Sequence, residues 1–258
     1  MKHIFLVFIF TCTLFAGVIK TPVLSVDEEK QLATIEIANI NMGITGFLVH
    51  RVSKNNSTIL RSLEVVSFDK ETQIATLKMA DFAQLRQNSL PLGKWKPTVG
   101  DIAILAFGYS RALLVAPTED IYYRITSAAE QVQWVHPDLF ATILSFSGHP
   151  TPLAEDFTKM SIGTAAGLIF FYLDKKLYTV DAKSLKVINI SVAPLEQEGA
   201  QLPFYSRVEE IEANWFGEGS DELESYEPYY FELLIENNPE NAQLLEFYND
   251  FKSEQTDD

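Results

Sequence analysis

The sequence predicts an α+β protein: an N-terminal small antiparallel β barrel or sandwich, an α/β unit with a β-hairpin, and a short C-terminal helical segment. Three observations carry this reading. Apolar residues alternate with period two through much of the first hundred residues. After Gly108 the pattern changes to a fully apolar run and helical spacings, and beyond Pro194 the chain turns acidic and aromatic.

The expected organisation is a leader over residues 1–16, a β-rich domain over 17–108, an α/β domain over 109–193 and the acidic aromatic segment over 194–258. In the leader, Lys2 precedes the apolar run 4–15 (IFLVFIFTCTLF) and the small pair Ala16-Gly17, the layout of a secretory signal peptide. The expected localisation is therefore export, to the periplasm or the cell surface. An uncleaved anchor is the alternative, since the uncharged stretch extends to Ile19, yet that run falls short of the roughly 18 to 20 apolar residues that span a bilayer. No transmembrane span is expected after cleavage. Cys12, the only cysteine, lies inside the leader. The exported chain then has neither disulfide nor thiolate ligand, and its stability has to come from its core.

Five strands are expected first. Ala33, Ile35 and Ile37 alternate with Thr34 and Glu36, and Ala75, Leu77 and Met79 alternate with Thr76 and Lys78. Residues 47–52, 59–68 and 102–107 complete the set, with Asn55-Asn56 and Asp69-Lys70 as turns and with Gly43 and Gly46 flanking a tight turn or bulge. Residues 112–116 (ALLVA) then read as a buried strand. Residues 119–129, 137–146 and 152–160 read as helices. Apolar residues 166–173 lead through the turn Asp174-Lys175-Lys176 into a hairpin strand over 177–180, and two short helices are expected within 228–251.

Charge is unevenly spread. Residues 1–192 hold 17 acids against 18 bases, whereas residues 193–258 hold 18 acids against only Arg207 and Lys252, so the formal net charge of −15 lies on the last quarter. An acidic end disfavours nucleic acid and anionic lipid, and favours solubility or a basic partner.

Residues 132–152 (VQWVHPDLFATILSFSGHPTP) raise the main chemical question. His136, His149 and either Asp138 or Asp156 are the candidate metal ligands. Their spacing matches no closed or open site such as two histidines four apart on a helix. Two consecutive helix boundaries account for the same residues. Pro137 suits the first helical position, Asp138 suits the positive end of the helix dipole, Gly148 suits the C-terminal cap, and Thr151-Pro152 with Glu155 and Asp156 repeats the start signal. Ser145, Ser147 and His149 form no hydrolase set, because there is no G-x-S-x-G elbow and nothing designates an orienting acid.

Further along, residues 215–222 (WFGEGSDE) form an acidic glycine loop without the alternating oxygen ligands of an EF-hand, and read as a solvated turn. Glu218, Asp221 and Glu224 could pair for glycoside hydrolysis, but acids are too dense here for a pair to be informative. Tyr226, Tyr229, Tyr230 and Phe231 read as the buried side of a helix, with stacking on a sugar or peptide as the alternative. No phosphate cradle is present and no cofactor is expected.

Several phrases are similar to one family: Leu90-Pro91, Trp95-Lys96-Pro97, Val99-Gly100-Asp101, and the runs 109–117 (YSRALLVAP), 134–140 (WVHPDLF), 148–152 (GHPTP), 202–207 (LPFYSR) and 214–219 (NWFGEG). Together they resemble the N-terminal domain of the bacterial plasminogen-binding proteins, exported and surface-associated proteins that capture host plasminogen. The resemblance runs from about Leu32 to Tyr230. It implies a non-enzymatic binding protein with plasminogen as partner and a lysine-rich C-terminal extension ending in lysine, since kringles take an ammonium paired with a carboxylate. Here Lys252 is the last basic residue and Gln255-Thr256-Asp257-Asp258 follow. Internal lysines, first Lys175 and Lys176, are then the expected substitutes. The alternatives of other class are an envelope or flagellar scaffold, and an envelope metal-dependent or cell-wall hydrolase using His136 and His149.

Overall fold

A computed structural model describes residues 17–82 and 95–256. The leader, the phrase at Leu90-Pro91, and the last two residues lie outside them.

Six antiparallel strands close a barrel: β1 (Ile19–Asp27), β2 (Leu32–Glu36), β3 (Thr45–Arg51), β4 (Ser57–Asp69), β5 (Ile74–Asp81) and β6 (Ile102–Leu105), in the order β1-β2-β5-β4-β3-β6, with β1 returning to β6. Closure leaves no free sheet edge. The alternation that marked β2 and β5 sends Ala33, Ile35, Ala75 and Leu77 into the core. Five strands were expected and a sixth is found. β1 escapes a pattern reading because Pro22 stands inside it and the chain shifts register against β2 between Val23 and Ser25, which breaks the alternation.

The expected turn at Gly43 is present, with φ +83°. Gly46 instead lies inside β3, where a Cβ would stand 2.0 Å from the Ile104 carbonyl oxygen of β6. Close backbone approach, and not a bulge, requires glycine there. Gly46→Ala is expected to cost about 1–3 kcal/mol by forcing β3 away from β6. Urea denaturation measures this, and an unchanged midpoint would mean that the barrel relaxes freely at that point.

The second sheet runs β11-β10-β9-β7-β8. Within it β7 (Arg111–Val115) is parallel to both β8 (Gln133–Val135) and the central β9 (Leu168–Leu173), while β10 (Lys176–Asp181) and β11 (Val187–Val192) add antiparallel strands at one side. β8 and β11 are edge strands that were not anticipated. Helices α1 (Glu119–Ala128), α2 (Pro137–Ser147) and α3 (Ala154–Thr164) make the crossovers from β7 to β8 and from β8 to β9. The C-terminal pair α4 (Tyr226–Asn237) and α5 (Ala242–Thr256) starts two residues before Pro228, whose missing N–H is harmless in a first turn.

Beyond the exposed Arg111 that opens β7, both β7 and β9 are hydrophobic because both faces are covered. Ala112, Leu114, Phe170 and Tyr172 join the cluster that also fills the barrel with Ile35, Leu48 and Leu77. Leu113, Val115, Ile169 and Phe171 face the opposite way, against Phe140, Phe157, Tyr230 and Phe231 of α2, α3 and α4. One apolar cluster therefore extends from inside the barrel to one face of the second sheet.

The seam between these parts is fixed by Asp181, fully buried at the end of β10. Its carboxylate accepts hydrogen bonds from the Thr45 backbone N–H (2.9 Å) and hydroxyl (2.9 Å), the Tyr109 hydroxyl (2.7 Å), and the N–H groups of Lys183 (2.9 Å) and Ser184 (3.0 Å). Burial and then the Asp181 charge push the Tyr109 phenol well above its ordinary pKa, keeping it a donor.

Candidate functional site

α2 organises the sequence-predicted histidines. His136 is its N-cap, the ring Nδ1 accepting the Asp138 N–H at 3.2 Å, with Pro137 following in the first turn. Gly148 ends the helix in the left-handed region at φ +72°. His136 and His149 therefore stand at opposite ends of an 11-residue helix, roughly 16 Å of axis apart. His136, Asp138 and His149 do not converge on one ion.

Asp138 is instead taken by Arg207, which donates through its backbone N–H (2.9 Å) and through Nε (2.8 Å). Burial opposes ionisation of Asp138, but the hydrogen bonds and charge of Arg207, together with His136, hold its carboxyl below the ordinary value. The contact ties the start of residues 207–224 to the start of α2.

At the other end, His149 Nδ1 lies 2.8 Å from Asp156, which is fully buried in the first turn of α3. An ionised acceptor fixes the proton on Nδ1. Asp156 also accepts from the Leu153 N–H (3.0 Å) and from Lys159 (3.2 Å). The ligand atoms of His149, Glu155 and Asp156 lie within 4.8 Å of one another, but the Lys159 ammonium, 2.9 Å from Glu155, already supplies the cation. Lys159 also reaches the Ser147 hydroxyl at 3.2 Å. Its pKa is raised, first by the Glu155 hydrogen bond, so it stays protonated and cannot take a proton from Ser147. The orienting acid that the sequence did not designate is Asp156, yet what it orients is a helix junction.

Over this junction lies the acidic glycine loop. Asn214 donates from its side chain to the Ser147 carbonyl (2.8 Å) and from its backbone to the Gly148 carbonyl (3.0 Å). The Glu212 N–H reaches the Ser145 hydroxyl (3.3 Å), the Thr151 N–H reaches the Gly219 carbonyl (3.1 Å), and the Thr151 hydroxyl reaches the Asp221 carbonyl (2.7 Å). Contact is close enough that a Cβ on Gly148 would meet Asn214 Cγ at 2.2 Å, and one on Gly219 would meet His149 at 3.2 Å. The loop covers His149 and displays Trp215 and Phe216 beside the helix end that carries Phe146. These three side chains are 99, 87 and 90% exposed.

Glu218, Asp221 and Glu224 are exposed, and none is ion-paired among the described residues. By contrast Tyr226, Tyr230 and Phe231 are buried in α4 as expected, with the Tyr226 hydroxyl donating to Val115 and Tyr172 carbonyls and the Tyr230 hydroxyl to that of Pro203. Tyr229, half-buried, gives its hydroxyl to the Pro152 carbonyl at 2.5 Å. These rings are core, not a stacking platform.

The two candidate binding lysines differ. Lys175 is exposed at the tip of the β9–β10 turn, with φ +55°. Lys176 is half-buried, bonded to Asp174 at 2.6 Å and lying over the Phe247 ring at 4.6 Å.

Two polar groupings were not singled out from the sequence. His50 Nδ1 meets Asp101 at 2.7 Å, Asp101 accepts the Thr98 N–H at 2.8 Å, and Trp95 stacks on His50 with centroids 6.4 Å apart. This anchors the approach to β6 against β3. A cleft of about 330 Å³ between the barrel and α3 is lined by Glu64, Lys78, Thr158 and Lys183 among others. Burial raises the Glu64 pKa and lowers that of Lys183, disfavouring charge on both. Partners 51 residues apart, or on separate strands and helices, leave no local signature.

The residues predicted for a catalytic or metal set do not converge, and a barrel fused to a five-stranded sheet assigns no activity by itself. The chain matches the family of the plasminogen-binding protein pgbA N-terminal region over residues 18–234, and it belongs to that family. It is 25% identical over 214 residues to the plasminogen-binding protein PgbA of Helicobacter pylori strain J99, and equally to that of strain 26695. Each alignment covers 81% of this chain and 46% of the relative, so the chain spans about half the length of these curated relatives. No solved structure matches it.

Proposed function

We propose that this chain is an exported, non-enzymatic binding protein of the bacterial envelope, at the periplasm or cell surface, whose partner is host plasminogen. Family membership over residues 18–234 carries the reading, and the relatives' name supplies the partner. The leader-like residues 1–16 support export. No helix among the described residues is long and apolar enough to cross a membrane. The hydrolase alternative loses its support with the separation of His136 from His149 along α2, and the scaffold alternative has no observation in its favour.

Surface-immobilised plasminogen tests the reading directly, with and without a free lysine analogue. Saturable binding abolished by the analogue is expected. Exposed Lys175 is the first internal lysine to change: Lys175→Ala is expected to weaken binding about tenfold, the loss of roughly 1.4 kcal/mol, and Lys176→Ala by less because Asp174 and Phe247 already hold that ammonium. Absence of saturable binding would overturn the plasminogen assignment.

A further inference from the structure

We propose that residues 209–222, together with Phe146, form a docking surface for a lysine- or arginine-rich segment of a partner protein. The inference goes beyond the plasminogen reading, because it names a surface and the chemistry of its occupant and stands whether or not that partner is plasminogen.

The aromatic side chains carry the argument. Trp215, Phe146 and Phe216 are among the largest apolar groups in the chain and are almost wholly in water, whereas Trp134 packs against Phe170 with its indole N–H bonded to the Ala129 carbonyl. Exposed aromatic rings grouped on one surface mark an interaction site more often than scattered ones do. The display is rigid by construction: five hydrogen bonds from or to Ser145, Ser147, Gly148 and Thr151 pin the loop on the α2–α3 junction, and His149 and Asp156 brace that junction from below. A surface held in its binding conformation loses little entropy on docking.

Charge selects the occupant. Between Val208 and Tyr226 the chain has seven carboxylates, all exposed, and no lysine or arginine. Cations are attracted both to these carboxylates and to the faces of the rings. The chain already uses such stacking internally, with Lys183 over Phe47 at 4.4 Å and Lys252 over Tyr248 at 4.2 Å. The same carboxylates repel an anionic bilayer. A second copy is repelled overall, since each carries a formal net charge of −15. Three large aromatic side chains, each burying about 150–250 Å², suit a compact and transient contact.

The test uses the whole chain and fluorescein-labelled decalysine, followed by anisotropy at physiological salt. Saturable binding is expected, weakened at least about tenfold by the double change Trp215→Ala with Phe216→Ala, and also by Phe146→Ser, with thermal midpoints unchanged because these side chains touch little. Asn214→Ala keeps the rings but frees the loop, and is expected to weaken binding by a smaller factor. Equal binding by wild type and double variant would overturn the proposal, leaving only diffuse attraction to acids. So would no binding of decalysine, or a double variant whose sole defect is lost sedimentation with phosphatidylcholine vesicles or lost self-association.

Discussion

Asp181→Ala is expected to destabilise the fold by about 3–5 kcal/mol, since each buried donor left without an acceptor costs about 1–3 kcal/mol and several lose theirs at once. The carboxylate is wholly shielded from solvent, and its loss leaves the Thr45 N–H and hydroxyl, the Tyr109 hydroxyl and the N–H groups of Lys183 and Ser184 without their acceptor. Buried donors stripped of a partner cost far more than the net gain of the bonds themselves. Asp181→Asn keeps the shape but turns an NH₂ group toward donors, so most of the loss should persist. Urea denaturation of both variants checks this. If asparagine is fully tolerated, shape and not acceptor capacity holds the seam.

Asp156→Asn is expected to cost about 2–4 kcal/mol at neutral pH, and that cost should shrink on acidification. Burial works against the ionised form, yet the hydrogen bonds from His149, the Leu153 N–H, Lys159 and Ser147 outweigh it and hold the folded pKa below the ordinary 3.8. A group depressed on folding stabilises the protein above its unfolded pKa, and the contribution disappears as pH falls through the folded one. The gap between wild type and variant should therefore be full at pH 7 and close progressively at acid pH below about 4. Asp138, depressed by Arg207, titrates with the same sign and remains in both proteins. A gap independent of pH over this range would show that geometry alone, and not charge, is what Asp156 contributes.

What was legible in the sequence was local. His136, Pro137, Asp138 and Gly148 mark both ends of α2 because capping chemistry acts within a few residues, and the alternation of β2 and β5 survives because one face of each strand is core. β1 was not legible: Pro22 and the register shift beside it interrupt the alternation, and the stretch adjoins an apolar leader. Nor was Asp181, an aspartate after an apolar strand whose donors come from residues as far off as Thr45. The aromatic segments show the limit best. The sequence reads Tyr226 and Tyr230 as the buried side of a helix and residues 215–222 as a solvated turn, as found, but only the packing shows that the loop is pinned on the α2–α3 junction with Trp215 and Phe216 in water.

The apolar cluster that passes from inside the barrel onto the sheet has a consequence for how the molecule comes apart. Tyr109, Ala112, Leu114, Phe170 and Tyr172 complete the same hydrophobic interior as Ile35, Leu48 and Leu77, so the barrel has no private one, whereas the sheet keeps a second interior on its far face around Phe140, Phe157 and Tyr230. Severing the chain near Gly108 would present that shared surface to water on both pieces. The visible joint between barrel and sheet is thus not a joint in the core: the barrel is expected to melt together with the sheet, and excising it as an independent module would yield a fragment prone to aggregate.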